Sequence, residues 1–280
     1  MRKGLVLEGG GMRGLFTAGV MDVMMEHGIR FDGIVGVSAG ATFGCNYKSH
    51  QPGRVLRYNL RFKDDSRYMS LRSLLQTGDL VGAEFSYHTL PKELDVFDFD
   101  ACNADPAEFH VVCTDVMTGE PVYHRIDFMD DDGLEWIRAS ASMPLVSRPV
   151  GIGGRLMLDG GISDSIPLRY FQGQGFGRNV VILTQPKGFY KKQTRLMPLF
   201  HLFMRKYPAI VQAMSRRHLM YNEQLSYLEE QERQGSILLI YPQDTLPIGR
   251  TEQKEEKIRR VYEMGREKAE EMLGEIQAFV

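Results

Sequence analysis

Apolar and polar positions along this chain switch between a strand-like and a helix-like rhythm, and the switches predict its elements. Residues 4–8, Gly-Leu-Val-Leu-Glu, are a short apolar run closed by glycines, as in a buried strand. From Met12 to about His27 the apolar positions Phe16, Val20, Val23 and Met24 recur at helical spacing, and Gly28 stops the helix. A second apolar run at 33–37 predicts another strand, followed by a helix to about Ser49, with Pro52-Gly53 as its breaker. Strand, glycine loop, helix, strand and helix make a βαβα opening, which predicts a parallel sheet.

Residues 54–107 carry a weaker rhythm, with one short helix at 71–76 and an acidic stretch, Asp95, Asp98, Asp100 and Asp105, that reads as a solvated loop. Asp98-x-Asp100 could begin a calcium loop, but Cys102 and Asn103 stand where the next acidic ligand and the required glycine belong. Runs at 109–116 and 121–125 around Thr118-Gly119 predict a hairpin-like pair. Asp130-Asp131-Asp132 reads as the capped start of the helix containing Trp136, because carboxylates favour a helix N-terminus. A strand pair ends at 154–158 just before Asp159, Pro167 opens a helix, and 179–184 is a core strand. A further strand at 237–241 precedes an amphipathic helix from about Thr251. Its Ile258, Val261, Tyr262, Leu273 and Ile276 are expected to pack on the sheet.

Composition narrows the class. The 280 residues, 43% hydrophobic and 25% charged, suit one globular domain over 1–280, with a core at about 4–185 and a helical and strand extension at about 186–280. A net charge of −2 argues against a general nucleic-acid binder. Cys45, Cys102 and Cys113 lack the spacing of a disulfide framework or a zinc site, so no metal and no cofactor are called for. The apolar stretch after Met1-Arg2-Lys3 is too short for a signal peptide, and no run approaches the ~18 apolar residues of a membrane span, so a cytosolic protein is expected. Between Lys187 and Arg217 there are eight basic residues and no acidic ones, bracketing the apolar run 196–204. Two readings follow: docking on an anionic membrane, or an amphipathic helix packed over the site.

Three stretches carry candidate chemistry. Gly36-Val37-Ser38-Ala39-Gly40 places a serine between glycines at a strand-to-helix corner, the form of a nucleophile elbow, so Ser38 is a candidate nucleophile. Gly9-Gly10-Gly11-Met12-Arg13-Gly14 follows a strand and opens a helix, where clustered N–H groups favour negative charge. The amides of Gly10 and Gly11, joined by that of Met12, could form an oxyanion hole, with Arg13 adding charge, orienting the loop or facing solvent. Asp159-Gly160-Gly161 ends a later strand and taken alone is an ordinary turn.

Rival readings remain. Gly9-x-Gly11-x-x-Gly14 also fits a dinucleotide-binding oxidoreductase, although the acidic residue wanted at the end of the second strand is missing. A P-loop fails for want of Gly-Lys-Ser/Thr. The α/β-hydrolase order would make His201 or His218 the base, yet both sit in segments better suited to packing or surface. A catalytically idle lipid-binding module is the third possibility.

Taken in order, the glycine loop, the serine elbow, Ala139-Ser140-Ala141-Ser142-Met143-Pro144 and Asp159-Gly160-Gly161 resemble the patatin-like phospholipase family in its compact bacterial form, over about residues 4–185. The resemblance implies a three-layer α/β/α fold with a mostly parallel central sheet. It further implies a Ser38–Asp159 dyad without histidine, an oxyanion hole in the glycine loop, and hydrolysis of lipid acyl esters. An aspartate of ordinary pKa is a poor base at neutral pH, so either Asp159 is raised by burial or the oxyanion donors, worth about 3 kcal/mol each, carry most of the rate. The second is the expected larger contribution.

Overall fold

The computed structural model describes residues 1–280. Strand β1 (Lys3–Leu7) leads through the glycine loop into helix α1 (Gly14–Glu26), and β2 (Gly33–Val37) leads directly into α2 (Ala39–Lys48). These four elements are the βαβα unit that the periodicity predicts. Then come α3 (Arg54–Arg61), α4 (Leu71–Thr77), a π-helical stretch at Phe85–Leu94, and α5 (Phe99–Ala104). The hairpin β3 (Glu108–Asp115) and β4 (Pro121–Ile126) precedes α6 (Asp131–Ser140), the pair β5 (Val150–Ile152) and β6 (Arg155–Asp159), α7 (Leu168–Gly173) and β7 (Arg178–Ile182). The C-terminal part adds α8 (Met197–Phe203), α9 (Pro208–Arg233), β8 (Ile237–Ile240), α10 (Glu255–Glu271) and α11 (Leu273–Phe279).

The strands form one eight-stranded sheet in the order β5-β6-β3-β2-β1-β7-β8, with β4 also paired to β3. Pairing is parallel from β3 through β2, β1 and β7 to β8, and antiparallel where β3 meets β4 and β6. Alternate residues of β1 supply the two faces. Leu5 and Leu7 join the larger core with α1 and α2, while Val6 joins a second core with Phe171 of α7 and Tyr221 of α9. Helices therefore cover both sides, giving an α/β/α arrangement around a mostly parallel sheet.

Two expectations change. The acidic stretch is solvated only in part: Asp98 and Asp100 are exposed, with Asp98 capping α5 by accepting the Ala101 amide at 2.8 Å, but Asp95 is buried and paired with Arg54 and Arg57. Asp95 looks solvated in sequence, but its partners arrive from helix α3, some 40 residues earlier. The final amphipathic helix, α10, packs on α1 rather than on the sheet. Gly19 and Gly265 make this possible, because a Cβ on either would collide with the facing helix backbone at Tyr262 or Phe16. The Asp130 cap, by contrast, is where the sequence puts it, accepting the Gly133 amide at 3.1 Å.

Candidate active site

The geometry follows from how β2 and β6 share β3. Val112 of β3 pairs with Val37 of β2, while the next residue, Cys113, pairs with Asp159 of β6. Because β4 occupies the other edge of β3 at both positions, β2 and β6 lie on the same edge and meet end to end. Ser38 and Asp159 are the residues at that junction. They are about 120 residues apart in the chain and become neighbours through pairing with a common strand.

Ser38 has φ 56° and ψ −121°, a left-handed backbone that a residue with a Cβ rarely adopts. The strain is held by packing around the elbow. Its amide donates to Ser140 Oγ at 3.0 Å, and Ser140 donates to the Val112 carbonyl at 2.6 Å. Side chains are not tolerated beside it: a Cβ on Gly36 would run into Gly40 and Ala41, and one on Gly40 into the Leu7 carbonyl. Ala39 opens α2, and Gly14 lies against Ala39 and Phe43, so α1 and the elbow helix touch.

Asp159 is 6% exposed. Its Oδ1 accepts the Gly161 amide at 2.8 Å, its own amide donates to the Ser142 carbonyl at 2.8 Å, and Gly160 packs on Val112. Burial raises the carboxyl's pKa above the ordinary range, and this outweighs the nearby Ser38 hydroxyl, the Gly161 amide and the Arg217 guanidinium, which favour the ionised form. The burial that a raised carboxyl requires is therefore present at Asp159.

In the glycine loop, the amides of Gly9, Gly10 and Gly11 donate to no group in the protein. Gly9 lies directly against Ser38, since a Cβ on it would fall 2.9 Å from the serine Cβ. The Met12 amide is not available to an oxyanion, because it donates to the Arg250 carbonyl at 3.0 Å. The free donors thus differ from those the sequence suggests: Met12 is engaged, and Gly9 is free beside Gly10 and Gly11. Arg13 does not face solvent freely; it lines the cavity and its Nε reaches back to the Gly10 carbonyl at 3.4 Å, which supports an orienting part.

Ser38, Asp159 and Gly9–Gly11 line a cavity of about 630 Å³. Met143, Pro144, Ile162 and Phe200 contribute apolar wall, and Leu145, at φ 73°, is a second strained residue on it. His218 also lines this cavity, whereas His201 is exposed on α8; neither hydrogen-bonds to Ser38 or Asp159. Three participants escape sequence reasoning. Arg217, on α9, donates its Nε to the Gly161 carbonyl beside the aspartate. Glu8 is buried under the loop, accepting from Tyr221 at 2.6 Å and from the Thr184 amide at 2.6 Å. Arg250 enters from the segment after β8. Arg217 carried only a charge signal in the sequence, and Arg250 carried none.

A family model described as "Patatin-like phospholipase" matches residues 5–171, the span that contains both the elbow and the aspartate. The chain belongs to the patatin-like phospholipase family. That family is one of lipid acyl hydrolases, and this patatin-like protein is an enzyme of that kind. A second model, described as a domain of unknown function (DUF6363), matches residues 207–280. The chain is 30% identical over 279 residues to "Uncharacterized protein YjjU" of Escherichia coli (strain K12), covering 95% of this chain and 75% of that protein. It is 31% identical over 167 residues to "Uncharacterized NTE family protein Rv1063c" of Mycobacterium tuberculosis, covering 60% of this chain and 44% of that protein. "Lysophospholipase nte1" of Aspergillus oryzae is 28% identical over 181 residues, which is 61% of this chain and 11% of that protein. Among solved structures, VipD from Legionella pneumophila is similar over 98% of this chain and 67% of its own, with a TM-score of 0.48 and 14% identity.

Proposed function

We propose that this patatin-like protein hydrolyses acyl esters of lipids with Ser38 as nucleophile and Asp159 as its general base. The observation that carries the reading is the end-to-end meeting of β2 and β6 on β3, which sets a buried carboxylate beside a strained serine. Ser38 Oγ attacks the ester carbonyl carbon while its proton passes to Asp159. The carbonyl oxygen becomes an oxyanion that the Gly10 and Gly11 amides receive, two of the three donors the loop leaves unpaired. Collapse breaks the ester C–O bond, and Asp159 returns the proton to the departing alcohol. Water then enters, gives its proton to Asp159, attacks the acyl-serine and releases the acid with the Ser38 hydroxyl restored. Gly9, Gly36, Ala39, Gly40, Gly160 and Gly161 shape the two turns, and Gly14 fits α1 against the elbow.

Incubation with a fluorophosphonate probe and a short-chain aryl ester tests this. The wild type should be labelled and turn over, and Ser38→Ala should do neither. Asp159→Asn should lose at least about 10³ in kcat, in line with removal of a proton-transfer partner. Labelling that persists in Ser38→Ala would refute the assignment.

The reading extends to peripheral docking on an anionic membrane through 187–217. Leu199, Leu202 and Phe203 of α8 stand exposed, and Phe200 from the same helix lines the cavity. Lys191 and Lys192 line the cavity, which leaves Arg195, Arg205 and Lys206 as the exposed cations flanking α8 for docking. Co-sedimentation with anionic vesicles should fall severalfold on reversing those three charges or on Phe203→Ser. Binding indifferent to both changes would remove this part. No helix is long and apolar enough to cross a membrane.

A further inference from the structure

The cavity beside the dyad is strongly positive, and its charge is unbalanced. Arg13, Lys191, Lys192, Arg217 and Arg250 line it against two carboxylates, Glu8 and Asp159. Glu8 is already held by Tyr221 and Thr184, with both oxygens occupied. Lys191 and Arg250 make no ion pair and no side-chain hydrogen bond. The nearest neighbours of Lys191 by charge include Arg217, Arg250 and Arg13, all of its own sign, with Glu8 the opposing one. The buried Nδ1 of His218, on the same wall, also has no partner. Four donors from the C-terminal part of the chain thus surround a space that adjoins the Asp159 turn, with Asp159 and the already bonded Glu8 as the carboxylates on its wall.

Their placement is built. The Asn222 side chain clamps the Lys191 backbone from both sides, donating to its carbonyl and accepting from its amide at 2.9 Å each. The ammonium rests 3.8 Å from the Tyr221 ring centroid. Arg217 is tied to Gly161, so its remaining guanidinium N–H groups point from a fixed base. We propose that Lys191, Arg217 and Arg250 form a headgroup subsite that selects acyl esters whose headgroup is net anionic, a phosphate with no attached cation, with His218 as an additional donor. This rests on the acyl-hydrolase reading and names the class of substrate for it. A choline-type headgroup is disfavoured by the same walls: its cation would meet like charge, the Tyr221 face is taken by Lys191, and Glu8 is already bonded.

Burial and the Arg217 guanidinium push the Lys191 ammonium down to about 7, so the subsite weakens as pH rises through that value. An anion bound there holds the proton on. Around Lys191 the charged groups are Arg217 on α9, Arg250 after β8, Arg13 before α1, and Glu8 after β1, with the neutral Tyr221 ring of α9 beneath the ammonium.

Calorimetry at pH 6.5 on the Ser38→Ala protein, using hexyl phosphate, hexyl phosphocholine and inorganic phosphate, tests the subsite without turnover or a lipid surface. Hexyl phosphate should bind at least about tenfold tighter than hexyl phosphocholine. Lys191→Met and Arg250→Gln should each reduce that ratio severalfold, with circular dichroism verifying that they fold. Equal affinities, or a ratio untouched in both variants, would overturn the proposal. Inorganic phosphate binding as tightly as hexyl phosphate would identify a free anion as the ligand and overturn the headgroup assignment. Hexyl phosphate binding selectively while the wild type hydrolyses no ester would sink the hydrolase reading and leave only an anion site. A wild type that cleaves aryl ester without headgroup preference would do the reverse.

Discussion

Ser38 and Asp159 work against their own preferences, and each is held there by neighbours. The serine adopts a left-handed φ because Gly36, Gly40 and Ser140 close around the turn, and the aspartate sits where burial favours its neutral form. A base must be ionised to take a proton, so kcat/KM should rise with pH through the folded-state pKa of Asp159, giving an acid limb above the ordinary carboxylate range of ~4. Arg217 favours the ionised form from its seat on Gly161 and acts as a positioning residue. Arg217→Gln should therefore move the limb to still higher pH, a shift that a loss of folding alone would not produce. A limb that stays in place would show that Arg217 only braces the loop. At this scale the sequence offered Ser38 as a candidate from its glycine setting, and Asp159 through the family resemblance, since its own glycine turn is an ordinary one. It could not name Arg217, because nothing local distinguishes it from Arg216, which is exposed.

Among the elements, the crossing of α1 and α10 is the sharpest case of packing decided by absence of side chains. Gly19 and Gly265 bring the backbones of two helices together, although the first lies near the start of the chain and the second near its end. Gly265→Ala raises intrinsic helix propensity, by ~1 kcal/mol. It would nevertheless put a methyl into the Phe16 carbonyl, with no flexible side chain to yield. The expected outcome is a loss of about 2 kcal/mol or more in urea denaturation, since overpacking against backbone outweighs the propensity gain. A neutral or stabilised variant would mean that the helices can separate at little cost. Periodicity correctly placed α10 and its apolar stripe. It could not choose between sheet and helix as the partner, because both offer an apolar surface.

Across the whole molecule, the C-terminal part is joined to the core through buried polar groups as well as through β8. Asp22 of α1 accepts from Tyr262 of α10 at 2.6 Å and from the Gly53 amide at 2.8 Å. Burial raises its pKa to about 6 from 3.8 despite both bonds. The native state therefore binds a proton between those values that the unfolded chain has released. Stability should fall as pH rises from about 4 to about 6, and above that the buried charge remains as a cost of about 3 kcal/mol. Asp22→Asn keeps an oxygen acceptor for both donors and cannot ionise. It should raise Tm at pH 7 and flatten this part of the pH–stability curve, and a lowered Tm would show that the ionised form is needed.

The βαβα opening, the strained elbow with its candidate serine and the capped α6 were legible in the amino-acid sequence, because each is specified within a few residues by periodicity, glycine placement or a capping side chain; Asp159 was legible only through the order of the motifs. Tertiary structure alone decided which glycine-loop amides stay free, where α10 rests, how Asp95 is neutralised and which cations face the cavity. Those outcomes depend on partners 40 to 240 residues away. Local sequence has no term for such distant neighbours, and only the register of β3 with β2 and β6, and the packing of α9 and α10, bring them within reach.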